Sequence, residues 1–408
     1  VSELIRHFFS FFSKNDKELF FDSAATSLKP DLLAATEQKI ASFATDIVHR
    51  SSHFAGSQAT QNFENVRQFI AKKMNADRSE IVFTSGATAG FNIAALSWAE
   101  KNLKEGDEII ISIAEHHSSC LPWIEAARRK TATISWAKFD KETYLFDQKD
   151  FVFTPKTKVL VVSAYSNVLG PIWKDQQELY DLISRAHSLG IIVVVDGAQQ
   201  APFYSIDLKK MDADFYAFSA HKMLGPQGVG VLFVNKRIHS QLSPAFVGGG
   251  ALDYFFNDTP MYKKMPFFLE SGTPPVAAII SFGEVLKKVI PTIDVDIEYK
   301  RIVRLMAQFI IFLKTIPGVT VLGNEALLQS DGHLVSFLVD GLHAHDIAEI
   351  LSAKKVYVRA GKMCAHPLFD YLNCSAALRV SMYWYTTEHE VVQLCSEIAD
   401  AIARLREL

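Results

Sequence analysis

The 408-residue sequence predicts an α/β protein: a large domain on a mostly parallel, doubly wound sheet, followed by a smaller C-terminal α+β domain. Three observations predict it. From about residue 60 to 235, helical patterns alternate with short apolar runs. Those runs are rich in Ile and Val rather than alternating apolar with polar. Glycine and proline then thicken, in 244–250 and 272–275, before a stretch of different character. A strand apolar on both faces is one covered by helices on both sides, and such strands alternating with helices build a doubly wound sheet.

Residues 1–20 are expected to form an N-terminal helical segment. Its apolar patch, Phe8 to Phe12, is interrupted by Ser10 and preceded by Arg6 and His7, too short to span a bilayer. The large domain, residues 21–270, carries runs that read as buried strands at 80–84, 107–113, 158–163, 191–195, 214–218 and 229–234, with a helix over 175–188. The small domain, 271–408, shows helical patterns over 277–290 and 297–315, a Pro317-Gly318 turn, and strands over 334–339 and 356–359. Val391, Leu394, Cys395, Ile398, Ile402 and Leu405 fall on one face of a last helix, which makes Cys395 a core residue.

Composition narrows the function. Hydrophobic residues are 49% and charged residues 21%, an ordinary globular balance. Lys plus Arg is 42 against 45 for Asp plus Glu, and no basic run is present, which argues against nucleic acid as a partner. Cys120, Cys364, Cys374 and Cys395 are too few and scattered for a disulfide framework or a Cys-x-x-Cys metal site. The expectation is a cytoplasmic protein without metal and without a membrane span.

Ligands of open α/β sheets bind beyond the carboxyl ends of the strands. Directly after predicted strands stand Thr84-Ser-Gly-Ala-Thr88, Glu115-His-His117, Asp196-Gly-Ala-Gln199 and Ser219-Ala-His-Lys222. Each is weak alone; an aspartate at a strand end is most often a helix cap. Together they offer a small-residue helix N-terminus, a histidine, a carboxylate and a lysine at one sheet edge. Pyridoxal 5′-phosphate uses that set. Lysine condenses with its aldehyde, a carboxylate faces the ring nitrogen, an aromatic side chain stacks on the ring, and a helix N-terminus holds the phosphate.

These motifs make the chain resemble, nearly end to end, a fold-type I pyridoxal-phosphate enzyme of the class V aminotransferase group, and more narrowly the Suf-type (group II) cysteine desulfurases. Phe20 to Thr26 with Lys29-Pro30, Ser166-Asn-Val-Leu-Gly170, Gly248 to Gly250, Glu270-Ser-Gly-Thr273, Arg359-Ala-Gly-Lys-Met-Cys364 and Arg379-Val-Ser-Met-Tyr383 extend the resemblance. It implies conversion of L-cysteine to L-alanine, with the sulfur left as a persulfide on Cys364 and passed to a Suf-type acceptor protein for iron–sulfur cluster assembly. Lys222 would hold the cofactor and move the Cα proton, and His116 would stack on the ring and assist proton transfer. Asp196 would face the ring nitrogen and Gln199 the phenolic oxygen. Gly86, Ala87, Thr88, Ser219 and His221 would cradle the phosphate, joined by Thr273 of a neighbouring subunit in a homodimer. Asn167 and Arg379 would orient the substrate carboxylate, with Arg359 alongside.

Three places depart from the family pattern, one of them Ala89-Gly90 in the phosphate loop, where relatives often carry Glu-Ala. Lys362-Met363 replaces a usual pair of histidines before Cys364, and Trp173 stands where smaller residues are common, so a differently shaped pocket is expected. Arg359 and Lys362 are the candidates to favour the thiolate, whose ordinary pKa near 8.5 leaves only a few per cent ionised at pH 7. His345 is placed like a histidine with which some relatives engage a zinc-bound sulfur scaffold, and equally reads as part of a solvated helix start with Asp346 near its N-terminus. Selenocysteine lysis or another class V lyase or aminotransferase reaction is the alternative activity. A non-catalytic scaffold would have no need of Lys222, Asp196, His116 and Arg379 together.

Overall fold

The computed structural model describes residues 5–15, 17–42 and 48–407, so residues 1–4 and 16 of the expected N-terminal segment lie outside the described residues. Within that segment a short helix forms over Ser10–Lys14. In chain order the strands are β1 (Leu19–Phe20), β2 (Ile81–Thr84), β3 (Glu108–Ser112), β4 (Thr133–Ala137), β5 (Thr157–Ser163), β6 (Ile192–Asp196), β7 (Phe215–Ser219), β8 (Gly230–Val234), β9 (Leu252–Phe256), β10 (Thr259–Tyr262), β11 (Val319–Leu322), β12 (Leu334–Val339), β13 (Val356–Tyr357), β14 (Arg359–Gly361) and β15 (Ala377–Ser381).

A seven-stranded sheet in the order β2-β8-β7-β6-β5-β3-β4 forms the large body. Its pairs β3–β4, β3–β5, β5–β6 and β6–β7 are parallel, as the apolar runs predicted. β8 alone runs antiparallel to both neighbours, β7 and β2. The connection from Ala220 to Val229 is too short to carry the helical crossover that a parallel pair needs.

Side-chain alternation explains why these strands are apolar throughout. Val159 and Val161 of β5 join the core beneath the helices Ala87–Asn102 and His117–Lys130, with Phe91 and Trp123. Leu160 and Val162 face the other way, into the core with Phe63, Val66, Leu182 and Ile279. That second core is closed by the helices Phe54–Lys73, Gln176–Ser188 and Val276–Lys288. The helix over Gln176–Ser188 starts at Asp175, whose carboxylate accepts the Glu178 N–H at 3.0 Å.

The C-terminal unit is built on the antiparallel sheet β11-β12-β15-β14. Its core joins the helices Val295–Leu313, Ala344–Ala353 and Glu388–Glu407 to Ile5, Phe9, Leu19 and Phe21 from the N-terminus. β1 pairs in parallel with β13, so the opening segment is threaded into this unit before the chain enters the large body.

The sequence reading missed β1, β4, β9, β10, β11 and β15, and ran β13 and β14 together as one strand over 356–359. β4, Thr-Ile-Ser-Trp-Ala, is a half-exposed edge strand, and β15 has the fully buried Arg379 at its centre. Trp173 is a second correction. It is buried against Phe146 and Phe151, donates from Nε1 to the Ser163 carbonyl at 2.9 Å, and so packs in the core instead of shaping a pocket beyond the strand ends.

Candidate active site

Carboxyl ends of the parallel strands open into a cavity of about 350 Å³, closed on the far side by the C-terminal unit. The size suits a small-molecule cofactor with its substrate. Of the residues proposed from the sequence, Ala87, Thr88, His116, Asn167, Asp196 and Gln199 line it from the sheet side. Ser219, His221 and Lys222 complete that wall, and Arg359, Cys364 and Arg379 form the opposite one. Gly86 stands just behind. Thr273 lies elsewhere, in a separate cavity with Arg50, Gly250 and Glu270.

Local geometry explains the glycines at the first wall. Gly86 caps the helix Ala87–Asn102 at φ +151°, a backbone state that side chains rarely adopt. A Cβ on Gly230 would lie 2.5 Å from the Gly86 Cα, so β8 and the loop after β2 meet backbone to backbone. The Ala87 N–H at the helix start donates to the Ser219 Oγ at 2.8 Å. A helix N-terminus and a hydroxyl thus face the same corner, the usual arrangement for an anion.

Lys222 lies one residue beyond the Ser219-Ala220-His221 turn, and its backbone carbonyl is fixed by the Tyr383 hydroxyl at 3.0 Å. The His221 carbonyl accepts from Ser27 N–H at 3.0 Å and from Lys29 Nζ at 2.6 Å, which pins the turn to the N-terminal segment. The Lys222 amine itself makes no hydrogen bond to the described residues. Burial, and then the Arg379 charge, lower its pKa to about 8 against the pull of Asp196. Asp196 ends β6, accepts the Ala198 N–H at 2.8 Å, and has its pKa raised by burial. His116 accepts the Ser118 N–H on Nδ1 at 3.0 Å, which leaves the ring proton on Nε2. Burial first, then nearby cations, push its pKa down to about 3, so the ring is a neutral imidazole. Gln199 donates to the Ala24 carbonyl at 2.8 Å, and His221, its pKa lowered to about 4 by burial, meets Thr26 Oγ1 at 3.1 Å.

On the other wall Arg379 is 3% exposed. Its Nη1 donates to the Asn167 carbonyl at 2.8 Å and its Nη2 to Asp22 at 3.2 Å, while its buried Nε has no partner. A buried guanidinium N–H left unpaired is costly unless a ligand takes it. Asp22 also holds Arg359, Nη2 to Oδ2, at 2.6 Å. Asp22 and Tyr165, the latter also lining the cavity, were not singled out as site residues from the sequence; Asp22 lies within the quoted Phe20 to Thr26 motif without a role read for it, and Tyr165 directly precedes the Ser166 to Gly170 motif.

Cys364 is exposed, and Met363 and Cys364 both adopt left-handed backbone, φ +43° and +55°. Three bonds from the large body hold this loop: His117 N–H to the Cys364 carbonyl at 2.7 Å, His366 N–H to His117 Nε2 at 3.2 Å, and Asn167 Nδ2 to the Met363 carbonyl at 2.8 Å. The expectation that Arg359 and Lys362 favour the thiolate is corrected. Lys362 pairs with Asp370 at 3.0 Å and Arg359 with Asp22, so both charges are already offset.

A model of the aminotransferase class-V family matches residues 19–394. The chain belongs to the class-V aminotransferase family. A "probable cysteine desulfurase" of Halalkalibacterium halodurans is 35% identical over 91% of this chain and 90% of its own length. Another from Staphylococcus aureus is 35% identical over 98% and 96%. Among solved structures, the cysteine desulfurase CsdA of Escherichia coli superposes with a TM-score of 0.89 at 31% identity, covering 99% of this chain and 98% of that one. The apo cysteine desulfurase of Thermococcus onnurineus gives 0.87 at 30% identity, over 97% and 96%.

Pyridoxal 5′-phosphate is the cofactor of this class-V family member, and the residues fit it. An unpartnered amine of lowered pKa, a buried carboxylate and a glycine-lined helix N-terminus face one cavity. Among the described residues no cluster of His, Cys, Asp or Glu is placed to hold a metal, and no helix is long and apolar enough to cross a membrane.

Proposed function

We propose that this chain removes the sulfur of L-cysteine, leaving L-alanine, with Lys222 holding pyridoxal 5′-phosphate and Cys364 receiving the sulfur as a persulfide. The observation that carries the reading is the meeting of Lys222, the unpaired Nε of Arg379 and Cys364 in one cavity. The cofactor, when bound, supplies an electron sink that weakens the substrate C–S bond.

The chain's own residues do the rest. Arg379 takes the substrate carboxylate on its free Nε and on the Nη2 shared with Asp22, a two-pronged contact that a lysine could not reproduce. Asn167 orients the same substrate, and the Arg359 side chain, paired with Asp22, lines the pocket alongside it. With a pKa of about 8, the Lys222 amine both accepts and returns the Cα proton near neutrality. With the cofactor bound, neutral His116 would stack on its ring, Asp196 would hold its ring nitrogen and the second N–H of the Gln199 amide its phenolic oxygen, and Gly86, Ala87, Thr88, Ser219 and His221 would hold its phosphate.

Thr273 completes the phosphate site of a second copy in a homodimer. The exposed aromatic side chains Tyr254, Phe255 and Phe256 on the β9–β10 hairpin, with Phe246 and Val247 nearby, support such an interface. Cys364 on its exposed loop suits transfer to a Suf-type acceptor protein. His345 lies beside that loop, its Nε2 3.5 Å from where a Cβ on Gly361 would be. A solvent-exposed unpaired thiol fits a reducing, cytoplasmic setting. In a division into 21–270 and 271–408, Lys222 and Cys364 fall in different parts of the chain and on opposite walls of the cavity, although the helix Val276–Lys288 packs on the large body. Mass spectrometry of the PLP-loaded protein after incubation with L-cysteine is the test: Cys364 gains one sulfur atom. Alanine formation with no sulfur on Cys364, at full rate in Cys364→Ala, overturns the persulfide.

A further inference from the structure

We propose that Lys29 is a positioning residue whose ammonium serves as a tethered monovalent cation, seated among neutral oxygens that fix the peptide entering Lys222. The inference rests on the reading that Lys222 holds the cofactor. Lys29 Nζ donates to the His221 carbonyl at 2.6 Å and to the Ser27 carbonyl at 2.7 Å. The hydroxyl oxygens of Thr26 and Ser27 stand at 3.3 and 3.4 Å. All four oxygens are uncharged, so dipoles hold the cation, as backbone carbonyls hold an ion stripped of its water. Burial disfavours the charge and lowers the Lys29 pKa, whereas the bonds to two carbonyls favour it.

The cage is built around one peptide group. Besides Lys29, the His221 carbonyl faces the Ser27 N–H at 3.0 Å and the hydroxyls of Ser27 and Thr26 at 3.0 and 3.2 Å. Ser27 is buried, and its Oγ also accepts the Leu224 N–H at 2.9 Å, so the turn is bracketed on both sides of Lys222. A peptide bond is planar, so holding the His221 carbonyl fixes the plane that leads into the Lys222 Cα. The Tyr383 hydroxyl, 3.0 Å from the Lys222 carbonyl, fixes the plane that leads out. With both planes set, the direction of the Cα–Cβ bond is set, and with it the line along which the amine enters the cavity. An ammonium offers three donors on a compact charge, which the cage uses as it would those of a free ammonium ion. The side chain adds a tether, which makes occupancy independent of the medium. Lys29 is itself only half-buried, so solvent reaches the cage once the side chain is cut back.

The test is chemical rescue of the PLP-loaded protein at pH 7. Lys29→Ala keeps the oxygens and removes the cation. In tetramethylammonium chloride, whose cation has no N–H to donate, kcat/KM for alanine formation is expected to fall about tenfold or more, the effect of losing one hydrogen bond to a charged group. Ammonium or methylammonium chloride at the same ionic strength is expected to restore most of the loss, while the wild-type protein runs at one rate in all three salts. Lys29→Met fills the space with an uncharged stem and is expected to show the same loss without any response to ammonium. It decides the matter if Lys29→Ala does not fold. Full activity of either variant in tetramethylammonium chloride, or a loss in folded Lys29→Ala that ammonium does not relieve, overturns the proposal. Borohydride reduction of the wild-type holoenzyme, followed by peptide mass spectrometry, reports on the underlying reading. Cofactor fixed to Lys222 sustains that reading however the variants behave; cofactor fixed to another lysine overturns both.

Discussion

Replacing Arg379 by lysine isolates the two-pronged contact, because the charge is retained and only the fork is lost. In the structure Nη1 is taken by the Asn167 carbonyl and Nη2 is shared with Asp22, so the incoming carboxylate gains its strongest bond from the unpaired Nε. A lysine ammonium in that space keeps Asp22 as its partner and offers the substrate one donor where arginine offers two. Losing one hydrogen bond to a charged group amounts to roughly 1.5–3 kcal/mol, or about 10- to 150-fold in kcat/KM. The loss is expected mainly in KM, since the carboxylate is bound in the ground state as well as the transition state. Alanine formation measured against cysteine concentration, with the visible cofactor band as a control, gives both quantities. An unchanged KM with an intact band would refute the clamp.

Lys222 has its pKa lowered from 10.5 to about 8 on folding, so the folded state binds fewer protons than the unfolded chain between those values and stability rises with pH there. In cofactor-free protein, urea titrations across that window should show a gain on the order of 3 kcal/mol that Lys222→Met abolishes. Arg67, fully buried, pairs with Glu64 and Glu270, donates to the Ile81 carbonyl at 2.7 Å and ties the helix Phe54–Lys73 to the start of the sheet. Arg67→Ala strands a largely buried Glu270 and should cost about 3–5 kcal/mol in denaturant unfolding; a loss under 1 kcal/mol would mean the network is dispensable. Asn167→Ala releases the Met363 carbonyl, and Cys364 should then react faster with an alkylating reagent while accumulating less persulfide from cysteine.

The large sheet was legible because its strands are buried on both faces. β2, β3 and β5 to β8 appeared as uninterrupted apolar runs, and the residues following β2, β3, β5, β6 and β7 turned out to share one cavity. Where burial is one-sided the signal fades: β4 alternates Thr and Ser with Ile and Trp at the sheet edge. β15 fails for another reason. Leu378 and Val380 point into the small core, while Arg379 and Ser381 point to the cavity and to the N-terminal segment. One face is therefore polar for function, and the run Ala-Leu-Arg-Val-Ser carries no apolar signature that a composition reading would register. Arg379 entered the candidate list only through family resemblance. Asp22 did not enter it as a site residue at all, since its importance lies in a contact with residues more than three hundred positions away.

The same long-range contacts explain how a cavity can be built between two cores. Phe21 and Asp22 lie at the end of β1, inside the C-terminal unit, yet Ser27 and Lys29 a few residues later hold the carbonyl of His221 in the large body. One extended segment therefore fixes the distance between the wall bearing Arg379 and the turn bearing Lys222. The loop bearing Cys364 is fixed separately, by His117 and Asn167 from the large body. Left-handed backbone at Met363 and Cys364 is of order 1 kcal/mol or more unfavourable at each residue, and those three bonds are what offset it. The arrangement separates two demands. The amine and guanidinium walls are rigid, as binding and proton transfer require, whereas the thiol sits on an exposed loop restrained at a few polar points. On the proposed persulfide reading, such a loop would hold Cys364 over the cavity to collect sulfur and, by breaking those few bonds, would present the same atom to an acceptor outside.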